Sequence, residues 1–362
     1  MRLATRQQWL SYAIALRFAA VLGGLFGIAA GAVMIKPPLA GALFGFLAGV
    51  VDFTFGMALI GAAEIFLPRT RLGRALARLP FFASVLIKAA AYFLVVLVQI
   101  GGRIGPRAVG LVAGPQVAAQ IAAQIDGAFP LGLSVVFGVL VTLLLVLLRQ
   151  AGQLIGERTF RMVMRGRYRR PRAEERFFLF IDIVGSTPVA EKLGALSVHR
   201  YLNRIFQETS DPVDDHGGEV YQYVGDEIVV TWLVPEGRAG AKPLACFFAI
   251  EAALAKAAPE FEREFGTVPK LRAALHAGEV VTGEAGGSRR AIVFHGDVMN
   301  ATSRIENLTR TLGHPVLVSE DALARLEGAE AYALEDLGPQ PLRGKDAAVR
   351  VYAAAAKDCS PG

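Results

Sequence analysis

The sequence predicts two dissimilar halves: an α-helical transmembrane domain of about four spans over residues 1–148, and an α+β domain with a mostly antiparallel sheet over residues 174–356. Three observations predict this. The 362-residue chain is 53% hydrophobic and only 19% charged, too apolar for an ordinary soluble protein. Its apolar residues are concentrated in long runs ahead of residue 149. Beyond residue 173 the pattern changes to short β-rich runs and amphipathic helices, and the first of these runs ends in a carboxylate.

The composition excludes a disordered chain, a collagen-like repeat and a disulfide scaffold. Cys246 and Cys359 make no framework and no zinc-ligand spacing, and two such thiols suit a reducing compartment. The net charge of +6 is unevenly spread: residues 1–150 carry +9, residues 151–172 carry +6 and the remainder carries −9. The basic excess therefore borders the apolar runs, where it can face anionic lipid, and does not mark a nucleic-acid binder.

The four expected spans are residues 18–35, 39–67, 81–100 and 130–148, the last being the most uniformly apolar. Residues 105–126, with Gln116, Gln120 and Gln124 at helical spacing, read as an external loop or interfacial helix. Arginines cluster at the N-terminus, between the second and third spans and after Arg149, so the positive-inside rule puts both ends of the chain in the cytoplasm. A cleaved signal peptide over residues 1–32 is the alternative reading of the first run, and leaves the C-terminal half cytoplasmic all the same. Asp52 and Lys88 are charges within expected spans; they either pair with each other or reach an interface. The absence of histidine before His199 excludes a bis-histidine haem from this half. Residues 149–173 form a basic linker, read as an inner-leaflet anchor or as a coupling helix.

Chemistry is concentrated in the second half. Residues 176–182 (RFFLFID) read as a buried strand ending at Asp182. Gly185, Ser186 and Thr187 follow as a small-residue turn into a helix, whose free N–H groups and dipole favour phosphate. Residues 219–232 read as a hairpin with Gly225-Asp226 at its tip. If the two strands are neighbours, Asp226 meets Asp182, and paired carboxylates suit divalent cations and phosphoryl or nucleotidyl transfer. Residues 296–308 read as an amphipathic helix, with Asn300 and Arg304 one turn apart on one face and Val298, Ala301, Ile305 and Leu308 on the apolar side. His276 and His295 read as structural histidines, Glu227 as a solvent-facing neighbour of Asp226, and Arg289-Arg290 as turn surface. Residues 251–264 read as a structural helix followed by a short acidic one.

In this order and spacing the three elements resemble the class III nucleotidyl cyclases, the catalytic domain of adenylate and guanylate cyclases. Phe180–Thr187 is similar to the family's first metal-Asp motif, Val224-Gly225-Asp226 to its second, Gly296–Arg304 to its Asn/Arg motif, and Leu342-Arg343-Gly344-Lys345 to its phosphate-reaching loop. The resemblance implies a ferredoxin-like α+β fold. It implies two Mg²⁺ or Mn²⁺ ions on Asp182, Asp226 and the Ile183 carbonyl, and phosphate contacts from Gly185, Ser186, Thr187, Arg343 and Lys345. It further implies that Asn300 orients the ribose, that Arg304 stabilises developing charge, and that two copies of the chain share head-to-tail sites. The implied activity is conversion of ATP to cyclic AMP and pyrophosphate by a membrane-bound homodimer. Two positions depart from the family's adenine-reading pattern: Gln222 replaces its Lys and Val293 its Asp. Gln222 still offers a donor and an acceptor to a base edge, whereas Val293 only packs. A guanylate cyclase, a non-catalytic nucleotide-binding regulatory module, and a cyclase-controlled transporter are the alternative readings.

Overall fold

The computed structural model describes residues 12–13, 16–17, 19–28, 38–66, 70, 73, 79–80, 82–95, 140, 143–144, 147, 168, 170–287, 291–342 and 348–357. The chain divides into two compact units, Met1–Ile155 and Gly156–Gly362.

In the first unit the longest described element is α1, Pro38–Phe66, of 29 residues. Residues 19–28 and 82–95 are also helical. Among the described residues no helix is long and apolar enough to cross a membrane, so the four expected spans are not reproduced there. The expected loop at 105–126, most of the span at 130–148 and nearly all of the linker at 149–173 lie outside the described residues. Asp52 sits on α1, but its side chain lies outside the described set, so the expected pair with the half-buried Lys88 does too.

The second unit is built on an eight-stranded sheet. Its elements are β1 (Arg172–Ile183), α2 (Ser186–Leu193), α3 (Ala195–Asp215), β2 (Glu219–Val224), β3 (Glu227–Leu233), α4 (Lys242–Phe265), β4 (Leu271–Ala285), β5 (Ala291–His295), α5 (Asp297–Leu312), β6 (Val316–Ser319), α6 (Glu320–Leu323), β7 (Tyr332–Gln340) and β8 (Val349–Ala356). The strand order is β2-β3-β1-β4-β6-β8-β7, with β5 hydrogen-bonded to β4. Every pairing is antiparallel except β4 with β6. The first four strands and the helices between them make the β-α-β-β-α-β unit of a ferredoxin-like fold, as expected.

β1 reads as an unbroken apolar run because it is buried on both faces. Phe177, Leu179, Ile181 and Ile183 point into one core with Tyr201 and Ile205 of α3 and Phe247, Ile250 and Phe261 of α4. Phe178 and Phe180 point the other way, into a second cluster with Val229, Val280 and Val298 of α5. The helix expected over 251–264 is part of one continuous helix, α4, which runs through Pro259. Phe261 and Phe265, beyond that proline, stand edge-on to Tyr201 with ring centroids 5.8 and 5.3 Å away, and this packing holds the last turns in place.

Candidate active site

Asp182 is the penultimate residue of β1, which lies between β3 and β4. The β1–β3 ladder ends at Ile181 opposite Ile228. One further step in that register sets Asp182 against Glu227, and the next residue of the chain beyond it is Asp226 at the hairpin tip. Gly225 takes φ +63° in the two-residue loop, a conformation that a glycine adopts without strain. The hairpin therefore delivers Asp226 to the end of β1, and the two expected carboxylates stand together.

Asp182 is 7% exposed, and burial followed by the charge of Asp226 raises its pKa; Arg272 opposes both. Arg272 is the cross-strand partner of Asp182 on β4 and donates from Nη2 to Asp182 Oδ2. Its Nε donates to Glu306 Oε1 at 2.8 Å, so one guanidinium joins two carboxylates. Arg310 approaches the same Asp182 oxygen at 3.5 Å. Glu306 is raised by burial and by Asp182.

Glu227 differs from the solvent-facing residue expected. It is half-buried, and burial together with the charges of Glu306, Asp182 and Asp226 raises its pKa to about 7. Strand alternation from Asp226 gave the expectation, but Asp226 lies in the loop, so the alternation starts only at Glu227 and places it toward Asp182.

Arg272, Glu306 and Arg310 were not anticipated as members of the site. A signal existed for Glu306: the buried face of α5 is Val298, Ala301, Thr302, Ile305, Glu306 and Thr309, so a carboxylate occupies a core-facing position. Leu308, expected on that face, is only half-buried. No comparable local signal marks Arg272, whose partner Asp182 is 90 residues away.

The other half of the expected machinery stands apart. Residues two positions apart on a helix are separated by about 200°. Glu306 turns toward Arg272 and Asp182, so Arg304 projects from the far side of α5. Arg304 is half-buried, and its Nη1 is enclosed with no hydrogen-bond partner among the described residues. Asn300, one turn earlier, is exposed.

Gly185, at φ +72°, leads into α2, and Ser186 and Thr187 begin its first turn. Ile183 is buried at the end of β1. Gln222 is exposed on the edge strand β2, and Val293 is half-buried on β5, opposite Gly283 of β4; their strands are not neighbours. His276 is buried, with Nδ1 2.7 Å from Ser319 Oγ, a structural contact. His295 is exposed. Arg289, Arg290, Arg343 and Lys345 lie outside the described residues.

The donors suit a hard divalent cation. Asp182 and Asp226 repel one another at close range, and the charge that offsets them here is guanidinium. No group of three or more His, Cys, Asp or Glu side chains among the described residues could hold a metal ion. Two carboxylates are nevertheless a usual complement for Mg²⁺, which keeps waters and substrate phosphates as its other ligands.

The family model described as "Adenylate and Guanylate cyclase catalytic domain" matches residues 170–354, just over half of the chain. Adenylate cyclase 2 of Rhizobium meliloti (strain 1021) is 42% identical over 193 residues, covering 53% of this chain and 53% of that protein. An adenylate cyclase of Anabaena cylindrica is 30% identical over 180 residues, covering 48% of this chain and 35% of that protein. The chain thus spans about half or less of the length of these curated relatives. The solved structure of a bacterial light-regulated adenylyl cyclase superposes with a TM-score of 0.50 at 21% identity, covering 58% of this chain and 62% of that one, a likeness of fold. The sheet order, the paired aspartates and the family match over residues 170–354 agree, and the chain belongs to the adenylate and guanylate cyclase catalytic domain family.

Proposed function

We propose that the chain is a membrane-anchored adenylate cyclase that converts ATP to 3′,5′-cyclic AMP and pyrophosphate, with each active site shared between two copies of the chain. The observation that carries this reading is the division of the machinery across α5: the carboxylate pair lies on one side, and Arg304, with its unpaired Nη1, on the other. A second copy arranged head to tail would bring its Arg304 and Asn300 to the Asp182–Asp226 pair.

In this reading Asp182, Asp226 and the Ile183 carbonyl hold two Mg²⁺ or Mn²⁺ ions. Bound there, such ions would supply charge neutralisation for the triphosphate and acidification of the ribose 3′-hydroxyl. The N–H groups of Ser186 and Thr187, freed by the left-handed turn at Gly185, receive phosphate oxygens at the start of α2. Arg343 and Lys345 reach the same triphosphate. Asn300 orients the ribose so that its 3′-oxygen lies in line with the α-phosphorus. That oxygen forms the new P–O bond as its proton passes to water, the bond from the α-phosphorus to the bridging oxygen breaks so that pyrophosphate leaves, and Arg304 stabilises the charge that develops. Gln222 offers the base edge a donor and an acceptor, and Val293 packs beside it. Adenine is the base favoured by the relatives, both named as adenylate cyclases.

The first unit is proposed as a multispan anchor in the inner membrane, with the catalytic unit in the cytoplasm. Leu39, Leu43, Leu47, Val51, Phe55 and Leu59 of α1 are large, apolar and exposed. A lipid surface would cover such a run.

The test is complementation. Asp182→Ala and Arg304→Ala should each abolish cyclic AMP formation from ATP with Mn²⁺, and mixing the two should restore about a quarter of wild-type turnover, since half of the random dimers carry one intact site of two. Dimers that form without restored turnover would overturn the shared site. Cyclic GMP from GTP in place of cyclic AMP would overturn the nucleotide assignment.

A further inference from the structure

A second polar cluster lies at the other end of β1, and the chemistry proposed above does not use it. Arg176 is 1% exposed, although it carries a full charge. Each of its three nitrogens faces an acceptor. Nε donates to Glu174 Oε2 at 3.1 Å, Nη2 donates to the Tyr168 hydroxyl at 2.9 Å, and Nη1 faces Thr231 Oγ1 at 3.5 Å and Glu219 Oε2 at 3.7 Å. Tyr168 in turn donates to the Glu174 carboxylate at 3.2 Å, and its backbone carbonyl accepts from the N–H of Glu284 on β4 at 3.1 Å. Tyr168 precedes the sheet and is itself only 2% exposed. Tyr168 is thus fastened to β1 through the bonds of its hydroxyl to Arg176 and Glu174, and to β4 through its carbonyl.

That guanidinium also touches the route to α5. Its Cζ lies 4.8 Å from the ring centroid of Phe294 on β5. Tyr221 of β2 and Phe178 of β1 close on the same ring at 4.7 and 5.4 Å. Three residues after Phe294 the chain reaches Asp297, where α5 begins, and the first turns of that helix carry Asn300 and Arg304. Val298 packs in the same cluster as Phe294. A movement of Arg176 has few ways to be absorbed before it reaches α5, because the ring beside it is packed on several sides.

We infer that Arg176 is a positioning residue: held by Tyr168 on one side and stacked on Phe294 on the other, it sets the placement of β5, and through it that of Asn300 and Arg304. The inference rests on the proposed cyclase reading only for its kinetic readout. Replacing Arg176 itself would strand Glu174 and Glu219 in the interior and endanger folding. Tyr168→Phe, which removes one hydroxyl, and Phe294→Leu, which removes the ring, are the informative variants.

The experiment measures amide hydrogen exchange and steady-state kinetics on the full chain for wild type, both single variants and the double variant. Tyr168→Phe is expected to speed exchange over residues 291–300 by about fivefold, the worth of the bond that its hydroxyl accepts from Arg176, and to leave α4 unchanged. Each single variant is expected to lower kcat severalfold with KM within about twofold, and the double variant to be no slower than the slower single, because both act through Arg176. Exchange that changes only over residues 168–176, or equally over the whole sheet, would overturn the inference, as would kinetic losses that add. If the wild type makes no cyclic nucleotide, the proposed activity fails. The exchange pattern then decides this inference alone, for it if residues 291–300 respond and against it if they do not.

Discussion

Arg272 faces Asp182 directly across the β1–β4 ladder and donates to its carboxylate, while its Nε donates to Glu306. One cation is thus shared by two acids, both largely withdrawn from water. This pair closes the end of the sheet at which the hairpin tip and α5 converge.

Arg272→Met should therefore destabilise the catalytic unit by about 3 kcal/mol in the presence of a chelator, because it leaves the two buried carboxylates with only the more distant, exposed Arg310 to offset them. Urea unfolding of the full chain, followed by circular dichroism, measures the loss. Glu306→Gln should cost less, since Arg272 keeps Asp182 as a partner.

A cation that binds the native unit alone raises its unfolding temperature. Mn²⁺ should raise the Tm of the wild type, and chelation should reverse the rise. The gain reaches about 2.7 kcal/mol at a hundredfold excess over Kd. Asp182→Asn should remove the response. An equal response in that variant would place the cation elsewhere.

Gly278 on β4 supports α5 at close range. A Cβ there would lie 2.6 Å from Cγ2 of Val298, a branched side chain with little rotamer freedom in a helix. Gly278→Ala should thus cost about 1–3 kcal/mol and shift α5 outward, lowering kcat as Asn300 and Arg304 move. Thermal unfolding and turnover of one preparation test both effects.

Burial raises the pKa of Glu251 on α4 above the ordinary carboxylate value. The folded state therefore holds this proton more tightly than the unfolded chain. The resulting stabilisation is complete below the unfolded pKa of roughly 4.3 and is lost as pH rises through the folded value. Glu251→Gln should be more stable than wild type at pH near 8, and the difference should narrow as pH falls toward about 5. Urea midpoints at the two pH values measure it.

The legible parts of the fold were those written locally. The apolar run ending at Asp182, the Gly225-Asp226 turn and the periodicity of α5 each fall within a short window, and each element forms where its pattern predicts. The contacts that complete the candidate site were not legible, because they are matters of register. Arg272 meets Asp182 only once β4 has paired with β1, and Glu306 joins them only once α5 has packed on β4. Glu227 departs from its expected exposure because strand alternation begins at Glu227 itself and not at the loop residue Asp226. Arg176 opened a strand expected to be buried, yet apart from Glu174 on its own strand the acceptors for its charge come from β2, β3 and the segment before β1.

β4 is 15 residues long and pairs with β1 at twelve successive positions without a bulge. At one end stands Arg272. Toward the other, Gly283 lies so close to Pro171 that an added Cβ would sit 3.3 Å from the proline Cα. About 36 Å of strand separates them. Where residue 171 joins the sheet and where the acids gather are thus the two ends of one uninterrupted pair of strands.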